Sequence, residues 1–179
     1  MQTQRSEGLM NIRILEESDA HLYQKVRLDA LKMNPDAFGS TYEREVGYSL
    51  EMVKERIKPI RNKYTVGAFD KRKSLIGIVT FVREDNLKTR HKGNVYGMYI
   101  APGNRGQGLG KLLMNELISR AKNSDGLEQI NLTVVSDNHY AKKLYTSLGF
   151  EVYGIERNAL KFNGRYYDED LMVLKLAVK

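Results

Sequence analysis

The run Arg105-Gly106-Gln107-Gly108-Leu109-Gly110 constrains this chain more than any other stretch. Three glycines at alternate positions separate a strand-like apolar run from an amphipathic helical pattern. Without a Cβ, glycine lets the backbone take φ > 0 and lie close against a ligand. The N–H groups of such a loop and of the first helical turn lack backbone acceptors. Together with the helix dipole they favour a phosphate or pyrophosphate. An anion cradle between a strand and a helix is therefore expected.

Spacing narrows the kind of cradle. A Walker A loop needs Gly, four residues, then Gly-Lys-Ser/Thr. Gly110-Lys111 fits its end, but position 105 is arginine and position 112 is leucine. The dinucleotide pattern G-x-G-x-x-G fails as well, because the third glycine arrives one residue early at Gly110. What remains is Arg-x-x-Gly-x-Gly, from Arg105 through Gly108 to Gly110. Downstream, Leu132 and Val134 form L-x-V, followed by N-x-x-A-x-x-L-Y-x-x-x-G-F from Asn138 through Ala141, Leu144, Tyr145 and Gly149 to Phe150. Upstream, Met98-Tyr99-Ile100-Ala101-Pro102 reads as a strand and its exit. In this order and spacing, residues 95–150 resemble the GNAT superfamily of acetyl-CoA-dependent N-acetyltransferases.

The rest of the chain reads as mixed α/β. Asn11 to Leu15 suggests a strand, and Ser18 an N-cap for a helix to about Met33, stopped by Asn34-Pro35. A charged helix is expected from Leu50 to Lys58, after an irregular stretch through Asp36 to Tyr48. Strands are expected over Tyr64–Phe69, Leu75–Val82, Val95–Ile100 and Ile130–Val135. After the glycine loop, Leu109, Leu112, Leu113, Leu117 and Ala121 mark the buried side of a helix. Ser136 or Asp137 is expected to cap the next helix, which stops at Gly149. Asn163-Gly164 signals a hairpin between Tyr153–Phe162 and Tyr166–Leu176. The order β-α-α-β-β-β-α-β-α-β-β is that of the GNAT acyl-CoA N-acyltransferase fold, an α/β mixed sheet whose central strands splay apart.

The resemblance implies a chemistry. Acetyl-CoA would lay its pantetheine arm between strands four and five, bonding backbone groups around Met98 and Ile100. Its pyrophosphate would sit on the amides of Arg105, Gly106, Gln107, Gly108, Leu109 and Gly110, with Lys111 near enough to help. Asn138 would contact the pantetheine or cap its own helix, and the small Ala141 would leave room beside it. Tyr145 lies seven residues after Asn138, hence on the same helix face. A phenol with a reference pKa of about 10 can donate to a departing thiolate of pKa about 8.5. Packing between helix and sheet is its alternative role. Glu43 or Glu45 is the candidate base for the acceptor amine, beside a water chain and plain solvated charge. Lys142 and Lys143 fit a CoA phosphate or a solvated helix face. The hairpin carrying Glu156-Arg157-Asn158 and Tyr166 to Asp170 would border the acceptor pocket or a homodimer contact.

Composition sets the outer bounds. The 179 residues, 41% hydrophobic, fit one domain over 11–179 behind an N-terminal extension over 1–10. Absent cysteine removes disulfides and any cysteine-borne acyl intermediate. No run approaches the roughly 18 apolar residues of a membrane span, and residues 1–8 lack the apolar core of a secretion signal. A cytoplasmic protein is expected. The surplus of 29 basic over 22 acidic residues suits general solubility and a polyanionic cosubstrate. It is scattered, which disfavours a nucleic-acid-binding domain. His21, His91 and His139 have no metal-ligand spacing, so no metal is expected. The expected function is transfer of acetyl from acetyl-CoA directly to a primary amine of a small molecule or peptide. A protein N-terminal acetyltransferase and a non-catalytic CoA-binding sensor or scaffold are the alternatives.

Overall fold

The computed structural model describes residues 10–177. The expected extension over 1–10 lies outside the described residues except for Met10. In chain order the elements are β1 (Asn11–Ile14), α1 (Ala20–Met33), α2 (Tyr42–Glu45), α3 (Leu50–Ile57), β2 (Lys63–Phe69), β3 (Leu75–Arg83) and β4 (Lys92–Ile100). After the glycine loop come α4 (Leu109–Ala121), β5 (Gln129–Val135), α5 (His139–Ser147), β6 (Glu151–Phe162) and β7 (Arg165–Lys175). The strands form one sheet in the order β1-β2-β3-β4-β5-β7-β6. The expected α/β mixed sheet is therefore present, with a short extra helix, α2, in the stretch before α3.

Both faces of this sheet are covered. Leu109, Leu113, Met114, Leu117, Ile118 and Ala121 of α4 pack on one face, against residues such as Val66, Val79 and Ile130. Tyr23, Val26 and Ala30 of α1 and Val53 and Ile57 of α3 pack on the other, around Phe69, Leu75 and Ile78. That double cover explains why β2 and β3 read as nearly unbroken apolar runs rather than alternating ones. Truncating a fully buried leucine such as Leu113 or Leu117 in such a core costs about 2–5 kcal/mol.

Some local expectations need correction. Leu112 is 48% exposed, while Met114 and Ile118 take buried positions on α4. The buried stripe is phased on Leu109, Leu113, Leu117 and Ala121, and its second row is i+5 and i+9 rather than i+3. The first helix begins with a 3-10 turn at Glu17–Asp19, where Glu16 and Asp19 form a capping box, so Ser18 is not its cap. Before α5 the cap is Asn138, whose Oδ1 accepts from the Ala141 amide at 3.2 Å. Ser136 and Asp137 are engaged elsewhere: the Ser136 hydroxyl donates to Asp170, and Asp137 accepts from Arg165 at 3.3 Å. The Asn163-Gly164 turn matches expectation, with φ of 47° and 77° closing a two-residue hairpin.

Candidate active site

The sheet opens at its centre. β4 and β5 are its one parallel pair among the described strands, and they pair over only three positions, Lys92 with Gln129 to Asn94 with Asn131. Beyond Asn94 this edge of β4 has no strand partner among the described residues, whereas β5 continues along β7 as far as Val135. A bulge drives the divergence. The β3–β4 register slips between Ile78–Tyr99 and Thr80–Tyr96, and within that slip Gly97 adopts φ of 61°. A bulge bends its strand and raises the local twist, and the left-handed conformation at its turning point favours glycine.

The resulting cleft has a volume of about 800 Å³. β4 lines it from Val95 to Ile100, β5 from Leu132 to Val135, and the start of α4 and one side of α5 complete the lining. The structure thus brings Met98, Ile100, Arg105, Gly106, Gly108, Leu109, Gly110, Lys111, Asn138, Ala141 and Tyr145 to one cavity. Gln107 and Glu43 are exposed and do not line it.

At the loop, Gly106 and Gly108 have φ of 75° and 76°. A Cβ built on either would meet no atom within 4 Å, so the space above them is open. The amides from Gly108 to Lys111 donate to no protein acceptor among the described residues. Gly110 is different, because its Cβ would press Leu144 Cδ2 and Met98 Cε at 3.1 Å each. Its bareness serves close packing of α4 against α5 and β4. Arg105 also departs from expectation. Its amide donates to Pro102 O, and its guanidinium donates to Ile100 O at 2.9 Å and Asn34 Oδ1 at 3.1 Å. It fastens the end of β4 to the end of α1, and the free amides begin further along the loop. Lys111 and Lys143 line the cleft and form no ion pair among the described residues. Lys142 is half-buried and not free, since it pairs at 2.6 Å with buried Asp170 and so ties α5 to β7.

Tyr145 stands at the cleft floor, 6% exposed, its ring 6.0 Å from that of Phe150. Its hydroxyl donates to no protein acceptor among the described residues and is not sealed from the cleft. Burial pushes its ionisation well above the ordinary value of 10. The phenol therefore stays protonated across all ordinary working pH.

Glu45, one of the two candidate bases, is locked in structure instead. It is 1% exposed and accepts two bonds from Arg27 at 2.9 Å each and another from Arg56 at 2.8 Å. Burial opposes its charge, but hydrogen bonds from Arg27, Arg56 and Ser40 outweigh it and bring the carboxyl down to about 2. A carboxylate so weakly basic does not take a proton from an ammonium near neutrality. Sequence reasoning missed Arg27 altogether. Its available signal was an arginine four residues after Tyr23, inside the buried side of α1.

Comparison with known proteins agrees with this architecture. Residues 12–171 match the family model described as an acetyltransferase (GNAT) domain. The chain belongs to the GNAT family. Among curated members it is similar to a spermidine N(1)-acetyltransferase of Vibrio cholerae, 30% identical over 105 residues; the match spans 59% of each chain. Among solved GNAT structures, an acetyltransferase from Streptococcus pneumoniae superposes with a TM-score of 0.84 at 25% identity, over 94% of this chain and 100% of that one. A phosphinothricin acetyltransferase from Sinorhizobium meliloti, solved in complex with acetyl-CoA, gives 0.80 at 22% identity over 93% and 88%. That last likeness concerns the GNAT fold.

Proposed function

We propose that this chain transfers acetyl from acetyl-CoA directly to a primary amine in a ternary complex. One observation carries the reading: the β4–β5 pair parts after three positions, leaving an unpartnered strand edge that runs from a phosphate-type loop to a buried, protonated tyrosine. The edge offers main-chain groups to the pantetheine amides. The open space above Gly106 and Gly108 and the free amides of 108–111 fit a pyrophosphate, with Lys111 and Lys143 adding charge. The side-chain amide NH2 of Asn138 is left over from capping and is available as a donor in the cleft.

The reaction balances as follows. The neutral amine attacks the thioester carbonyl, forming the C–N bond. Main-chain donors along β4 stabilise the oxyanion, and such donors contribute a few kcal/mol. The C–S bond then breaks while the Tyr145 hydroxyl hydrogen-bonds the departing sulfur. The nitrogen gives up one proton to water and the thiolate takes one up from solvent, so amide and free thiol are the products. A water chain would take the amine proton, because Glu43 lies outside the lining of the cleft. No cysteine is present to carry an acyl intermediate. Residues 11–179 act in this reading as one catalytic domain, in the cytoplasm. No helix of the described residues is long and apolar enough to cross a membrane.

Calorimetric titration of acetyl-CoA into wild-type protein and Gly108→Trp tests it. The Trp Cβ meets nothing within 4 Å, and the left-handed backbone costs roughly 1–2 kcal/mol, so the variant folds. Saturable binding by wild type and its loss in the variant are expected. Absence of binding by folded wild type would overturn the acetyltransferase reading. Gly110→Val is the counterpart, expected to lower the melting temperature by several degrees because its side chain must displace Leu144 and Met98.

A further inference from the structure

The buried cluster of Arg27, Glu45 and Arg56 holds two guanidiniums and one carboxylate. Its surplus of one positive charge sits behind the β4 bulge at Gly97. Arg27 is 6% exposed, and its Nε and Nη2 are both spent on Glu45. Its Nη1 donates to no protein acceptor among the described residues, yet it is not sealed from solvent. That nitrogen lies 3.6 Å from where a Cβ of Gly97 would stand, and Gly97 has none. The guanidinium is also 5.1 Å from the ring of Phe38. Gly97 and Phe38 both line the cleft, and Arg27 sits directly behind them without lining it. Arg56 instead borders a separate cavity of about 310 Å³ with Arg44 and Tyr48.

A guanidinium whose free edge faces a cleft wall is a ready partner for an anion. We propose that Arg27 recognises a carboxylate on the amine acceptor through the bare Gly97 bulge, with Glu45 as the positioning residue that fixes its fork. Guanidinium matches a carboxylate in planar, paired geometry, and a second anion on its free edge balances the cluster. The acceptor is then an amine carrying a carboxylate within reach of that amine, as in a free amino acid. The opposite specificity has no comparable anchor in the cleft. No carboxylate is among the described residues that line it.

This inference rests on the proposed acetyl transfer, and the test separates the two. Thiol release from acetyl-CoA is followed with free amino acids, the same amino acids as their amides, and spermidine, for wild type, Arg27→Met and Arg27→Lys. Wild type is expected to show kcat/KM at least about tenfold higher for a free amino acid than for its amide, through KM. In Arg27→Met that ratio falls to about one, while acetyl-CoA affinity is unchanged and Arg56 still pairs Glu45. Arg27→Lys, which keeps the charge without the fork, restores part of the preference. Equal or better use of amides or spermidine by wild type would overturn the inference and leave acetyl transfer standing. So would an equal loss of kcat for every acceptor in both variants. Bound acetyl-CoA with no thiol release from any of these amines would remove the proposed transfer, and this inference with it.

Discussion

Replacing Tyr145 with phenylalanine is expected to lower turnover by about a hundredfold or more, with acetyl-CoA affinity changed by less than about twofold. The substitution removes one oxygen from a ring whose packing against Phe150 is otherwise kept. That oxygen donates to nothing in the protein among the described residues, so its loss breaks no internal hydrogen bond and the melting temperature should barely move. What disappears is a donor at the place where negative charge develops on sulfur. The pH profile adds a second check. Burial holds the phenol protonated past its ordinary value of 10, so wild-type activity should rise as the acceptor amine loses its proton and show no alkaline fall near neutrality. The variant should keep the same rising limb at a lower plateau. Steady-state rates from pH 6 to 9.5 decide this, and unchanged turnover in Tyr145→Phe would take the tyrosine out of the chemistry.

The legible parts of this site share one property: each is encoded within a short stretch of chain. The loop from Arg105 to Gly110 declares its backbone conformation through glycine, and the seven-residue step from Asn138 to Tyr145 declares a helix face by spacing alone. Even there, side-chain partners were hidden. Arg105 turns back to Asn34, and Lys142 reaches Asp170 on a strand that the sequence places beyond another element. Three adjacent cap-forming residues, Ser136, Asp137 and Asn138, were indistinguishable until β7 claimed the first and Arg165 the second. The cluster on the other face was illegible for the same reason. Glu45 lies 18 residues from Arg27 and 11 from Arg56, and each comes from a different helix. In the sequence all three are ordinary surface-type charges, and only the packing of α1, α2 and α3 makes them an interior group. The parting of β4 from β5 was legible through family resemblance, not through any periodicity in either strand.

That interior group makes the second large prediction. Glu45→Gln is expected to destabilise the protein by about 3 kcal/mol at pH 7, because buried Arg27 and half-buried Arg56 then face a neutral amide. The pH dependence identifies the cause. The folded carboxyl ionises at about 2, below its ordinary value of 4.5, so its stabilising effect is complete above 4.5 and lost as pH falls through about 2. Across that window the contribution is on the order of 3 kcal/mol. Urea midpoints of wild type and Glu45→Gln should therefore lie far apart at pH 7 and converge as the pH approaches 2. Asp19 and Asp170, also held below the ordinary carboxylate range in the fold, titrate in both proteins, so the difference between the two curves isolates Glu45. Parallel curves would mean that Glu45 is not the charge holding the two arginines. If the curves converge, the same carboxylate that stabilises the helices also fixes the Arg27 fork, and variants that loosen it should lose acceptor discrimination before they lose acetyl-CoA binding.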